Sequence, residues 1–115
     1  MEAVCRGAKS AGGTTVGILP RLDPTEANQF VDISIPTGMG EARNALVVSA
    51  SRAVVAVGGE YGTLAEIALA LRVGKPVVGV DTWKLEKPDG SADSGIVRVD
   101  DPAAAAELAV SLAES

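Results

Sequence analysis

A strand-to-helix junction near the middle of the chain constrains the fold most. The apolar run Ala53-Val54-Val55-Ala56-Val57 passes directly into Gly58-Gly59-Glu60-Tyr61-Gly62-Thr63-Leu64-Ala65-Glu66. An unbroken apolar run bounded by a glycine turn suits a strand buried on both faces. A helix starting from such a turn aims its first backbone N–H groups and the positive end of its dipole at the space beyond the strand. A phosphate or a carboxylate fits that space. The junction therefore points to a small phosphorylated ligand and leaves the reaction, if any, open.

The rest of the chain extends the pattern. Met1, Val4, Cys5 and Ala8 fall at helical spacing, and Gly12-Gly13 supplies a stop. Thr14–Leu19 reads as a short strand, residues 20–29 as a loop, and Val31–Ile35 as a second strand with apolar residues at alternate positions. A helix is predicted from about Gly40 to Ser51. After the central strand, Leu64, Ile67, Ala68 and Leu71 mark the apolar face of a helix ending at Gly74. Pro76–Val80 is a buried strand, Lys84–Gly95 a polar excursion and Ile96–Val99 a short edge strand, and Pro102 opens a last, alanine-rich helix. Strands alternating with helices predict an α/β, Rossmann-like parallel sheet with flanking helices. A doubly wound domain normally starts on a strand, whereas this chain starts on an amphipathic helix. The expectation is one domain over residues 1–115, incomplete at its N-terminus, with the first strand or strands missing through truncation or a misplaced start.

Composition narrows the function. The 115 residues carry a net charge of −5, and only 3% are aromatic. Nucleic acid is not an expected partner, because the charge opposes it and so low an aromatic content leaves almost no stacking platform for single strands. There is no histidine, so His-based triads and His-containing metal clusters are excluded, and no metal site is expected. No apolar run approaches the roughly 18–20 residues of a membrane span, and no secretory leader is evident. With Cys5 as the one cysteine, no internal disulfide can form, and a cytoplasmic location is expected. Cys5 lies on the apolar face of its helix and reads as a buried structural thiol.

Two motifs carry a resemblance to a known family. Gly58-Gly59-Glu60-Tyr61-Gly62-Thr63-x-x-Glu66 resembles the PGGxGTxxE motif of the Lonely Guy (LOG) proteins, once labelled lysine decarboxylase-like. Ile35-Pro36-Thr37-Gly38-Met39-Gly40-Glu41-Ala42-Arg43-Asn44 is similar to the branch that contains molybdenum cofactor carrier proteins. The likeness runs from residue 1 to about residue 83, and the segment before the first helix would hold the family's first glycine loop. In LOG enzymes the pattern implies hydrolysis of a nucleoside 5′-monophosphate to base and ribose 5-phosphate, with Arg43 and Glu66 as the catalytic pair by position. The carrier branch instead implies binding of a phosphorylated pterin, the molybdenum cofactor, without turnover and with no further cofactor required. Two departures from the LOG pattern stand out. Arg43 is followed by Asn44 rather than lysine, and Gly58 and Glu60 replace the loop proline and second glycine. The resemblance also implies a homo-oligomer, with the helix Gly40–Ser51 as a candidate interface.

The candidate ligand residues are Thr37, Gly38, Arg43, Asn44, Gly58, Gly59, Gly62, Thr63 and Glu66. Each has a plainer alternative. The glycines could merely permit a tight turn. Glu66 can reach back toward the loop, since helical side chains lean toward the N-terminus, yet Thr63-x-x-Glu66 also spells a capping box. Arg43 in a helix's first turn is disfavoured by ~0.3–1 kcal/mol and calls for an anion, whether ligand phosphate or Glu66. A carboxylate at Glu60 would repel bound phosphate unless it points away. Trp83 reads as core or interface, with cover for a base or pterin ring as the alternative. Asp100 and Asp101 read as caps of the final helix.

Overall fold

Helix α1 spans Glu2–Ser10 and buries Cys5 on its apolar face. It stops at Ala11 and Gly12, where φ of +79° suits a residue without a side chain. The computed structural model describes residues 1–115, which divide into two compact units, Met1–Leu46 and Val47–Ser115. No helix is long and apolar enough to cross a membrane.

In the first unit β1 (Val16–Leu19) pairs in parallel with β2 (Ile33–Pro36), with Val16 opposite Ile33 and Ile18 opposite Ile35. The entry to this pair is fixed by Asp32. Its carboxylate accepts from Thr15 N at 2.9 Å and from Lys9 Nζ at 2.9 Å, which ties α1 to both strands. These bonds, the Thr15 amide foremost, hold the Asp32 carboxyl below its usual pKa. The alternation read over Val31–Ile35 is present, but Ile33 and Ile35 remain about half exposed. Between the strands, Asp23 caps a 3-10 turn over Pro24–Glu26.

Helix α2 (Asn44–Ala50) links the units along the chain. It is shorter than the predicted helix Gly40–Ser51, because Gly40–Arg43 forms a 3-10 turn. Gly40 adopts φ of +58°, outside the helical region, so the α-helix starts only after that turn.

The second unit holds the parallel sheet β3 (Val54–Val57), β4 (Val77–Val80) and β5 (Ile96–Arg98), in that order. Central β4 is buried at every residue, as its run without a polar side chain, Val77-Val78-Gly79-Val80, predicts. On one face, helix α3 (Tyr61–Arg72) supplies Ile67 and Ala70 to a cluster with Val48, Val54, Ala56, Val77 and Ile96. Ala68, expected on that face, is exposed, while Ala70 is fully buried. Val78 and Val80, on the opposite face, pack with Ala105 and Ala109 of α4 (Pro102–Glu114). Asp101 caps α4 through Ala103 N, with Pro102 at the first helical position. Helix α3 ends in a Schellman motif: Gly74 N donates to Leu71 O, Lys75 N donates to Ala70 O, and Gly74 has φ of +78°.

The pairing between named strands is parallel, as the α/β alternation predicts, in a two-stranded ladder within the first unit and a three-stranded one within the second. Hydrophobic periodicity specifies that a segment is a strand and leaves its partner unspecified.

Candidate functional site

In the second unit the site is built at the exit of β3. Gly58 takes φ of +82° and donates its amide to Val80 O at 3.3 Å, so the chain turns sharply away from the sheet. Nothing lies within 4 Å of where a Cβ would stand on Gly58 or Gly59, so a ligand can approach the backbone closely. Glu60 is the N-cap of α3, extended at φ −72° and ψ 154°, and its side chain makes no capping bond. The first turn closes with Leu64 N donating to Glu60 O at 3.1 Å. The amides of Tyr61, Gly62 and Thr63 precede that bond, at the positive end of a twelve-residue helix.

This start overturns the capping-box reading of Thr63-x-x-Glu66. Thr63 is the third helical residue, not the cap, because extended Glu60 already begins the helix. Glu66 lies a turn further on, half-buried and engaged rather than free.

The exit of β4 braces this loop. Thr82 Oγ1 donates to Gly58 O at 2.7 Å, and Trp83 Nε1 donates to Glu60 O at 3.1 Å. Arg98 donates to the Thr82 and Trp83 carbonyls in turn. Trp83 also packs against the α3-side core cluster, which agrees with its reading as a core residue. Asp81, just before them, has φ of +46°, a turn conformation that non-glycine residues seldom adopt. The loop and its brace lie beyond the C-terminal ends of parallel strands, where α/β proteins bind ligands.

In the first unit a second turn forms at the exit of β2. Thr37 Oγ1 donates to Leu19 O at 2.6 Å and accepts from Met39 N at 3.1 Å. Gly38 N and Gly40 N donate to Arg21 O and Pro20 O. Gly38 sits at φ +67°, a left-handed conformation that favours glycine there. Arg43 is the last residue of the 3-10 turn, not part of an α-helix's first turn as expected. Its Nη1 donates to Ile18 O at 2.7 Å, while its Nε is buried without a hydrogen-bond partner. The guanidinium is thus partly spent on β1 and keeps one donor unmet. Asn44, 5% exposed, is among the few buried polar residues.

Within their units, then, Thr37, Gly38, Arg43 and Asn44 lie in one turn and its sequel, and Gly58, Gly59, Gly62, Thr63 and Glu66 lie along one loop and helix. Sequence reasoning missed Thr82 and Arg98, which act on residues 15–24 positions away and leave no local signal.

An uncharacterized protein of Archaeoglobus fulgidus is 52% identical over 80 residues, which are 70% of this chain and 52% of that protein. The chain thus spans about half the length of that curated relative. The structure of the molybdenum cofactor carrier protein from Chlamydomonas reinhardtii matches with TM-score 0.76 at 38% identity, over 96% of this chain and 69% of that one. The molybdenum cofactor binding protein of the phototrophic bacterium Rippkaea orientalis matches with TM-score 0.65 at 36% identity, over 96% of this chain and 56% of that one. The model of the SLOG cluster4 family matches residues 1–106, and the chain belongs to that family.

Proposed function

We propose that this chain binds a small phosphorylated ligand of nucleotide type and acts as a carrier for the molybdenum cofactor, within the carrier branch of its superfamily. The observation that carries this reading is the β3–α3 junction: an open glycine turn leading into a helix whose N-cap side chain leaves the first turn uncapped. A phosphate accepted there gains several N–H donors and the favourable end of the helix dipole. The named function of the two cofactor-binding structural relatives supports the choice of cargo. Gly58, Gly59, Gly62, Thr63 and Glu66 are the proposed ligand residues of the second unit. Thr37, Gly38, Arg43 and Asn44 are those of the first, with the unmet Arg43 Nε as the supporting detail. The proposal extends to a single functional domain, working as a homo-oligomer in the cytoplasm and requiring no cofactor of its own.

The test is purification of the chain from a host that makes molybdopterin, followed by a nucleotide panel. The carrier reading predicts a co-purifying fluorescent pterin and no release of base from any nucleoside monophosphate. Base release that disappears in Glu66→Gln while binding persists would overturn it in favour of a phosphoribohydrolase using Arg43 and Glu66.

A further inference from the structure

Tyr61 is the first residue of α3 and is 80% exposed. A ring that open contributes nothing to a core. It stands against Trp83, with ring centroids 5.6 Å apart and planes tilted by 33°. These are the one tyrosine and the one tryptophan of the chain.

Trp83 is held in place from several directions. Its Nε1 donates to Glu60 O, its carbonyl accepts from Arg98 Nη2, and its body packs on the α3-side core. The neighbouring Thr82 hydroxyl donates to Gly58 O. The indole is therefore tied to the same glycine loop whose amides lead into α3. Tyr61 supplies one of those amides and the outer ring at once.

We propose that the Tyr61–Trp83 pair is a stacking platform that takes the planar heterocycle of the phosphorylated ligand and favours ring-bearing ligands over bare sugar phosphates. The proposal rests on the phosphate-binding reading of the β3–α3 junction. A ligand with phosphate and ring separated by a short spacer would engage amides and platform together. Pterins and purines share that chemistry. Stacking on a fixed aromatic tolerates different rings because each offers a flat π-face.

The test uses the full chain and the emission of Trp83, excited apart from Tyr61. The probes are inorganic phosphate, ribose 5-phosphate, AMP, GMP and a pterin monophosphate. The platform predicts that ring-bearing probes quench Trp83 and bind about tenfold more tightly than ribose 5-phosphate. In Tyr61→Ala that margin falls about tenfold, while ribose 5-phosphate affinity stays within about twofold. Tyr61→Phe keeps the margin. Because Tyr61 is so exposed, an unchanged thermal midpoint checks that Tyr61→Ala is folded. Whichever ring binds more tightly, pterin or purine, identifies the preferred source. Equal affinity for ribose 5-phosphate and the ring-bearing probes, or no effect of Tyr61→Ala, overturns the platform and leaves phosphate binding standing. Failure of every phosphate-bearing probe to bind overturns the phosphate reading itself, and the platform with it.

Discussion

Lys75 offers the sharpest stability test in the second unit. Its Nζ donates to Val48 O at 2.6 Å, Ser49 O at 2.9 Å and Ser51 O at 2.7 Å, gathering three carbonyls at the end of α2 and just beyond it. A cation there also faces the negative end of the helix dipole. The Ser49 bond is exposed, so water replaces it readily; the other two are partly buried. Charge-assisted hydrogen bonds contribute about 1.5–3 kcal/mol each, and the low end of that range suits sites that water can partly reach. Two such bonds make Lys75→Met cost about 3 kcal/mol, which for a chain of this size lowers the thermal midpoint by roughly 12 °C. Methionine preserves the aliphatic stem. The Lys75 N to Ala70 O bond of the Schellman motif is also unaffected, so the loss belongs to Nζ alone. The assay is thermal and urea unfolding followed by circular dichroism, with Lys84→Met, at an exposed position, as control. A Lys75→Met cost below about 0.5 kcal/mol, or no greater than the control's, would refute the capping argument.

Two other perturbations probe the scaffold. Asp32 has a folded pKa below its unfolded value, so its stabilisation is present above the unfolded pKa and disappears as pH falls through the folded one. Wild-type stability should therefore decline on acidification below about pH 4, more steeply than that of Asp32→Asn; parallel melting-temperature profiles would contradict this. Gly79→Ala places a Cβ 2.7 Å from both Ile96 Cγ2 and Thr82 Cγ2 in the central strand. It should destabilise by about 1–3 kcal/mol in urea titrations, and a neutral result would show that β4 and β5 can shift to admit a methyl group.

The elements that were legible in sequence are those whose information is local. Val77–Val80 announced a doubly buried strand, Gly74 announced the end of α3, and Asp101-Pro102 announced the start of α4. The glycine junction was legible for the same reason. Where the reading failed, a neighbouring residue had taken the role first. Glu60 began α3 before Thr63 could cap it, and the positive φ at Gly40 delayed α2 into a 3-10 turn. Contacts between distant residues left no pattern to read. Lys75 on the α2 carbonyls, Asp32 on Thr15 and Trp83 on Glu60 each join positions 17–27 residues apart.

The account depends on an anion resting on the backbone where β3 turns into α3. Amide-resolved NMR of the isotope-labelled chain, titrated with inorganic phosphate and then ribose 5-phosphate, reads that backbone directly. The account predicts saturable shifts concentrated on the amides of Gly59 to Thr63, weakened by salt. Shifts that saturate elsewhere and leave those five amides unmoved would contradict it.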